Sequence, residues 1–352
     1  MRLKANLSSG YPIPLRPVNE GNPLHEFSIV ICTYGGDRLH LLEKALKALE
    51  VQSFPRHRYH VRVIANGPST EGLKAFLVKW AAKSPGYREW RSCPQVGAGA
   101  SRNHGAAVAS GKYVFFLDDD ALPGPDWLSR YVTFIAAHPD AVCFGGPVRL
   151  TWEDPRPSWV VDSILPLLSE LKVPERTARL KEDQYLLSAN LVCRRAEFLR
   201  MGGFDSRLGR RERLLLSNED ILLVRRFQAA GHPCYSVPEA VVSHPVHAER
   251  LSRAWLYRRL YWQGFSDAWT ERLLHPHDRK QRLREAFRHS LGLPRLLLSF
   301  ISGGWIPSGV ETGMHPELVV LRWIGFAWGQ FRTIPFEENL VPHLNLGEAD
   351  EA

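Results

Sequence analysis

The sequence predicts an α/β fold built on a largely parallel sheet. From Phe27 onwards, short runs rich in β-branched and aromatic residues alternate with amphipathic helical segments, and polar or glycine-rich turns separate them. Such alternation is typical of a parallel sheet covered by helices. The chain has 352 residues, of which 44% are hydrophobic, so a large core is available.

The first elements follow one another as three strand and helix units. The strands are FSIVICTY, HVRVIANGP and KYVFFLD, and the helical segments are RLHLLEKALKALEVQ, TEGLKAFLVKWAAK and ASRNHGAAVAS. In the first helix Leu39, Leu42, Leu46 and Leu49 share one face. Ligands of open α/β sheets bind outside the carboxyl ends of the strands. Segments 33–37, 65–69 and 118–120 are therefore candidate binding loops.

The second half begins with a predicted helix, GPDWLSRYVTFIAAH, with Pro125 in its first turn, and a strand-like AVCFGGPVRL. Residues 151–182 are less regular and proline-rich, as in a mobile or substrate-shaped insertion. The alternating pattern resumes with the strand-like YLLSANLVCRR, a helix starting near SNED and short strands in HPCYSVPEAVVSH. Beyond His244 the segments are helix-compatible and rich in Arg, Trp and Leu. We therefore predict a loose arm over 1–26, a domain over 27–245 and a helical region over 246–352.

Composition limits the class of partner and the compartment. A net charge of +8 suits nucleic acid, an anionic membrane or a phosphorylated substrate. Five scattered cysteines, none in a C-x-x-C pair, favour neither a disulfide framework nor a zinc site, and a reducing cytosol is the simplest location. Arg322 interrupts the best apolar run, so we expect no membrane span. We interpret the Leu and Trp content of the C-terminal helices as core packing, and peripheral contact of these helices with the inner membrane face is the alternative.

Three adjacent carboxylates follow the apolar strand in FFLDDDALP. In an extended segment Asp118 and Asp120 point the same way and Asp119 points opposite, so the outer pair can share one cation. A simple acidic turn is the structural alternative. Their position at the end of a predicted buried strand favours a binding role.

A second acidic pair, Glu219 and Asp220, begins a predicted helix after Ser217 and Asn218. These residues fit an N-cap with acids at the positive end of the helix dipole, and they also fit a general base facing a cleft. His244 ends a strand-like VVS, where it could complete a metal site of carboxylates, with His247 in reserve.

Together these segments resemble the inverting family 2 glycosyltransferases with the GT-A fold. FSIVICTY, VIANGPS, GAGASRNHGAAVASGKYVFFLDDDALPGPDWL, MGGFD, NED and PEAVVSH occur in the family's order over about 27–244. The resemblance implies a Rossmann-like mixed sheet that binds a nucleotide-diphosphate sugar, with a nucleotide-sugar half over 27–120 and an acceptor half over 121–245. It also implies Mn²⁺ or Mg²⁺ as cofactor and direct displacement at the anomeric carbon. The acceptor would be a glycan, a lipid-linked sugar or a small molecule.

The resemblance also implies roles for individual residues. Asp220 would be the catalytic base, with Glu219 beside it, and Asp120 and His244 would bind the metal. The nucleotide-sugar contacts would come from Thr33, Tyr34, Asp37, Asn66, Arg102, Asn103, Asp118 and Asp119. Family members commonly carry an acid where this chain has Ala65, so the nucleotide base stays open and Asp37 is a candidate substitute.

A run of arginines precedes the proposed base. Arg210, Arg211 and Arg213 fit a solvated surface loop, and they also fit a site for an anionic acceptor. Other classes considered are a nucleotidyltransferase, a nucleic-acid-binding protein and a non-catalytic nucleotide-sugar binder. The chain lacks a Gly-rich phosphate loop followed by Lys and any nucleic-acid motif, so a glycosyltransferase in glycan, glycolipid or natural-product synthesis is the leading hypothesis.

Overall fold

The structure is a computed structural model. It describes residues 26–275 and 316–331, except residues 69, 96, 183, 212 and 213. The predicted arm over 1–26 lies outside the described residues apart from Glu26. Parts of the predicted C-terminal region, 276–315 and 332–352, lie outside them too.

The described chain forms a large mixed sheet and a small one. The strands are β1 (Phe27–Tyr34), β2 (Tyr59–Asn66), β3 (Arg88–Cys93), β4 (Tyr113–Asp118), β5 (Leu122–Pro123), β6 (Cys143–Gly145), β7 (Val148–Thr151), β8 (Ala178–Arg179), β9 (Asn190–Arg194), β10 (Cys234–Ser236) and β11 (Val242–Pro245). The large sheet has the order β3-β2-β1-β4-β9-β6-β10-β8, and the small one is β5-β11-β7. Strands β1 to β4 are parallel, and β9 runs antiparallel between β4 and β6.

Helices cover the large sheet and extend beyond it. They are α1 (Leu39–Glu50), α2 (Glu71–Ala82), α3 (Ala98–Val108), α4 (Trp127–Ala137), α5 (Arg195–Arg200), α6 (Glu219–Ala229), α7 (Arg253–Leu274) and α8 (Pro316–Phe331). Short 3-10 helices span Arg56–Arg58, Asp162–Leu168 and Ala248–Leu251. The Ser252 side chain caps α7 by accepting a hydrogen bond from the Trp255 amide at 3.2 Å.

Strand alternation divides the core into two layers. On β4, Phe115 packs with α4 on one face, whereas Phe116 packs with Phe198 and Phe204 on the other. Both side chains are fully buried, and each such burial contributes roughly 1.5–3 kcal/mol. The packing holds β4 rigidly, so the carboxylates at its end have fixed positions.

The C-terminal helices α7 and α8 pack against each other at very close range. A Cβ added to Gly264 of α7 would lie 1.7 Å from the carbonyl oxygen of Arg322 in α8, so only glycine permits this approach. Among the described residues, no helix is long and apolar enough to cross a membrane.

The α/β prediction with a C-terminal helical region is confirmed. Three local details differ from the sequence analysis. The strand β3 and the short helix α5 were not predicted, because β3 carries charged residues at the edge of the sheet. Helix α4 begins at Trp127, so Pro125 precedes it and does not lie in its first turn. The segment AVCFGGPVRL forms two strands in different sheets, since Pro147 has no N–H with which to continue β6.

Candidate active site

A cavity of about 1240 Å³ opens at the carboxyl ends of β1, β2 and β4. The last residues of these strands and the turn after β4 contribute Thr33, Asn66 and the three aspartates to its wall, and the first turn of α6 contributes Glu219 and Asp220. The parallel order of the strands explains the first group, because parallel strands end at the same edge. Residues more than 100 positions apart in the sequence therefore face one cavity.

Three of these side chains form a candidate metal centre. The ligand atoms of Asp118, Asp120 and His244 lie within 4.8 Å of one another. The imidazole Nε2 of His244 is 3.3 Å from a carboxylate oxygen of Asp120, and both side chains are 2% exposed. Carboxylate oxygens and one imidazole nitrogen suit Mn²⁺ or Mg²⁺, so the donor set fits the expected cofactor.

Basic side chains surround Asp120. Arg38 contacts one of its oxygens, and the His247 Nε2 lies 2.8 Å from the same oxygen. Burial alone would raise the pKa of Asp120, but His244 and the other basic neighbours hold it well below its usual range. Asp120 is therefore ionised, as a metal ligand must be.

The middle aspartate is also part of the site. Asp119 accepts a hydrogen bond from the Thr33 hydroxyl at 2.8 Å and lies 3.3 Å from the Arg38 guanidinium. Burial raises its pKa, and Arg38 opposes that shift. The strand ends at Asp118, so the simple alternation expected of an extended segment does not continue through the triplet. Arg38 was not predicted as a site residue, and its place two residues after the glycine pair is the only signal that the sequence offers.

Arg102 joins the metal side of the cavity to the acidic pair. Its guanidinium donates to Asp118 at 2.7 Å and to Glu219 at 3.0 Å, and the residue is 7% exposed. Burial would lower the pKa of Arg102, but Asp118 and Glu219 raise it, so it stays protonated. The two carboxylates are thereby held by the two terminal nitrogens of one planar cation.

Glu219 and Asp220 are the first two residues of α6, and both are buried. Asp220 accepts hydrogen bonds from the amides of Ser188 at 3.0 Å and Ile221 at 2.8 Å. Burial raises the pKa of Asp220, while burial and the charge of Asp220 raise the pKa of Glu219 to about 7. Two carboxylates with elevated pKa values beside a cation site are typical of acid–base catalysis.

Asn218 positions this pair by an unusual backbone. It occupies the N-cap position with φ of 72°, in the left-handed region, and its side chain does not cap the helix. The amide instead donates to Asp267 at 2.8 Å and accepts from Gln263 at 2.9 Å, both on α7. Helix α7 thus fixes the turn from which the acidic pair projects.

The predicted nucleotide contacts occupy two kinds of position. Tyr34, which is 45% exposed, and Asp37 line the open part of the cavity. Asn66 also lines it, but its side chain holds the loop before α3, accepting from the Gly97 amide at 3.2 Å. Asn103 exchanges two hydrogen bonds with the backbone of Phe204 and is not among the lining residues.

Two of the three predicted arginines ahead of the acidic pair face the cavity. Arg210 and Arg211 line it, and Arg213 lies outside the described residues. Two further arginines, Arg250 and Arg259, enter the cavity from beyond β11. Neither was predicted as a site residue, because nothing in the local pattern separates them from the other arginines of the C-terminal region.

Comparison with known proteins finds a family match over part of the chain. The model of Glycosyl transferase family 2 matches residues 28–191, just under half of the 352 residues. This part of the chain is similar to that family. A glucosyl-dolichyl phosphate glucuronosyltransferase of Haloferax volcanii is 30% identical over 173 residues, which are 48% of this chain and 54% of that protein. The succinoglycan biosynthesis protein ExoM of Rhizobium meliloti is 27% identical over 250 residues, which are 69% of this chain and 74% of that protein. The chain therefore matches only about half the length of the first of these relatives.

Solved structures support the same GT-A fold. The mannosyltransferase PcManGT of Pyrobaculum calidifontis, in complex with GDP-Man and Mn²⁺, aligns over 86% of this chain and 87% of its own, with a TM-score of 0.55 and 19% identity. GalNAc-T7 with UDP, GalNAc and Mn²⁺ aligns over 71% of this chain and 51% of its own, with a TM-score of 0.50 and 16% identity. At these identities the likeness concerns the fold.

Proposed function

We propose that this chain is a metal-dependent inverting glycosyltransferase of family 2. It would move a sugar from a nucleotide-diphosphate donor to an acceptor hydroxyl. One observation carries the proposal: the Asp118, Asp120 and His244 cluster and the Glu219 and Asp220 pair face the same cavity at the end of the sheet. The printed names of the relatives, which include a glucuronosyltransferase and a polysaccharide biosynthesis protein, support this class of reaction.

The donor side of the cavity serves the leaving group. Asp118, Asp120 and His244 would hold Mn²⁺ or Mg²⁺, whose chemistry is to offset charge on the departing diphosphate by several kcal/mol. Arg102, protonated and buried beside Asp118, adds a fixed positive charge at the same place. Tyr34 and Asp37, on the open side, are the residues we propose for contact with the nucleoside.

The acidic pair serves the nucleophile. A hydroxyl is a weak nucleophile, so a carboxylate must take its proton as it attacks the anomeric carbon. We assign this role to Asp220, because burial makes it more basic than an ordinary aspartate while two backbone amides keep it oriented. Glu219 is anchored by Arg102 and supports it. Attack from the side opposite the diphosphate inverts the anomeric carbon.

The experiment is a thermal-shift screen of nucleoside diphosphates and nucleotide sugars, each with and without Mn²⁺. We expect a stabilising ligand whose effect depends on the metal and is lost in Asp120→Asn, because ligand binding raises apparent stability in proportion to affinity. A stabilising shift that does not depend on metal and persists in Asp120→Asn would refute the proposed metal site. Retention of configuration at the anomeric carbon of the product would refute the single-displacement mechanism.

A further inference from the structure

Within the described residues, four cavity arginines have no carboxylate partner: Arg210, Arg211, Arg250 and Arg259. Arg250 and Arg259 are 8% and 7% exposed, and the Nε of each, together with Nη1 of Arg259, is buried without a hydrogen bond. Other arginines of the same cavity are paired. Arg225 donates to Glu271 at 2.9 Å, for example. The unpaired set is thus a distinct feature of the wall.

Unpaired guanidinium groups are costly inside a protein. A buried charge without a partner destabilises the folded state, and like charges placed together add repulsion. Burial, with Arg250 and Arg259 nearby, lowers the pKa of Arg210 to about 9, and burial lowers the pKa of Arg259 to about 10. All of these side chains remain protonated near neutral pH. A bound anion would relieve both the repulsion and the missing hydrogen bonds.

The cluster extends along the side of the cavity that carries the acidic pair. The charge of Glu219 raises the pKa of both Arg210 and Arg259, after Asp267 in the case of Arg259, whereas Asp120 is the first carboxylate to do so for Arg250. Arg210 belongs to the loop that precedes α6, and its carbonyl accepts from the Ala98 amide at 3.2 Å. Arg259 belongs to α7, the helix that holds Asn218. Arg210 and Arg259 therefore line the cavity near Glu219, the neighbour of the proposed base, and Arg250 lies nearer the metal cluster.

We propose that Arg210 and Arg259, with Arg250 at their edge, bind a phosphate group carried by the acceptor. The inference rests on the proposed function, since it places the anion where the acceptor hydroxyl must approach Asp220. The donor diphosphate has its own cations in Arg102 and the metal cluster. Guanidinium groups match phosphate oxygens in bidentate geometry. The acceptor class is therefore a phosphorylated sugar or a lipid-linked phosphate.

The test uses phenyl phosphate as the probe, with benzyl alcohol as the uncharged control, in calorimetric titrations of the full chain. We expect phenyl phosphate to bind equally well, within about twofold, with and without a saturating nucleoside diphosphate and Mg²⁺. Arg210→Gln and Arg259→Gln should each weaken it about tenfold or more. Arg225→Gln removes a charge from the same cavity, but from a side chain that is already paired. It should change the affinity for phenyl phosphate by less than about twofold.

Two results would overturn the acceptor site. One is competition between phenyl phosphate and the nucleoside diphosphate, which would assign the arginines to the donor. The other is phenyl phosphate binding that both variants leave unchanged. Metal-dependent binding of the nucleoside diphosphate, measured in the same samples, reports on the proposed function separately and shows that each variant is folded. If Arg259→Gln does not fold, the partly buried Arg210 carries the test alone.

Discussion

Replacing Asp220 with asparagine isolates the proton-transfer role of the proposed base. The substitution keeps the shape of the side chain and removes its basicity. General base catalysis contributes roughly 10² to 10⁴ in rate, so we expect kcat to fall by that factor, or about 2.7 to 5.4 kcal/mol of barrier. Binding of the donor should change little, because the residues proposed for the donor lie on the other side of Arg102.

The structural cost of this substitution is small by comparison. Asp220 accepts from two backbone amides, those of Ser188 and Ile221, and an asparagine has one acceptor oxygen for them. One N–H would then face an NH₂ group, at a cost of about 1–3 kcal/mol. Removal of a buried charge beside Glu219 offsets part of that cost. Asp220→Asn should therefore stay folded at assay temperature, and the loss of turnover reflects chemistry.

The assay is release of nucleoside diphosphate from the nucleotide sugar, with acceptor or with water, measured across pH. In the wild type, activity should fall as pH drops through a value above the ordinary carboxylate range of about 4, because burial raises the pKa of the base. In Asp220→Asn that acid limb should disappear from the residual rate. Loss of its charge should also bring the pKa of Glu219 down from about 7.

Glu219→Gln is the matched control, since it removes the neighbouring carboxylate from the same cavity. We expect a smaller loss than for Asp220→Asn. If Glu219→Gln loses more activity, or if Asp220→Asn keeps more than about a tenth of the wild-type turnover, the assignment of the base is wrong.

Two further predictions concern the loop that supports the acidic pair. Gly209 has φ of 85°, and a Cβ there would lie 2.9 Å from the carboxyl carbon of Glu219. Gly209→Ala should therefore lower the free energy of unfolding by about 1–2 kcal/mol and reduce activity. Gly231 has φ of 83° with open space around it, so Gly231→Ala should show only the backbone cost in thermal melts. Equal activity of the two variants would contradict displacement of Glu219. Burial would raise the pKa of Asp205, but Arg207 and Arg226 hold it at about 2. Asp205 should therefore contribute about 2 kcal/mol to the free energy of unfolding above pH 4, and this contribution should be lost as the pH falls towards 2. Urea unfolding across that range should show this loss in the wild type, and an identical loss in Asp205→Asn would refute it.

The sequence predicted the parts of the molecule whose signals are local. An apolar strand that ends in carboxylates is visible as a run of letters, and the sheet order then brings Asp118 to the same edge as Thr33 and Asn66. The metal group of Asp118, Asp120 and His244 depends on the small sheet as well, where β11 pairs with β5 beside the triplet. The individual site roles, and contact of the C-terminal helices with a membrane, stay predictions.

Long-range pairing explains what sequence reasoning did not find. Arg38 follows a loop whose conformation is not encoded in any periodic pattern, yet its guanidinium reaches two aspartates more than 80 residues away. Arg259 differs from Arg253 and Arg258 on the same helix in facing the cavity, which depends on how α7 packs. Charged residues of this kind have no sequence signature until their partners, or their lack of partners, are known.

The division of the site between two parts of the chain has a consequence for specificity. The family match ends at residue 191, before Asp220, and covers the strands that bring Thr33 and the metal carboxylates together. Within the matched range the Ser188 amide still donates to the proposed base, but the turn that carries the base comes later, where Asn218 in its left-handed conformation is held by Asp267 on α7. Because α7 also supplies Arg259, any change that shifts this helix moves the base and the proposed phosphate site as one unit. If both proposals hold, the acceptor hydroxyl and its phosphate would be recognised mainly by the part of the chain that lies beyond the family match.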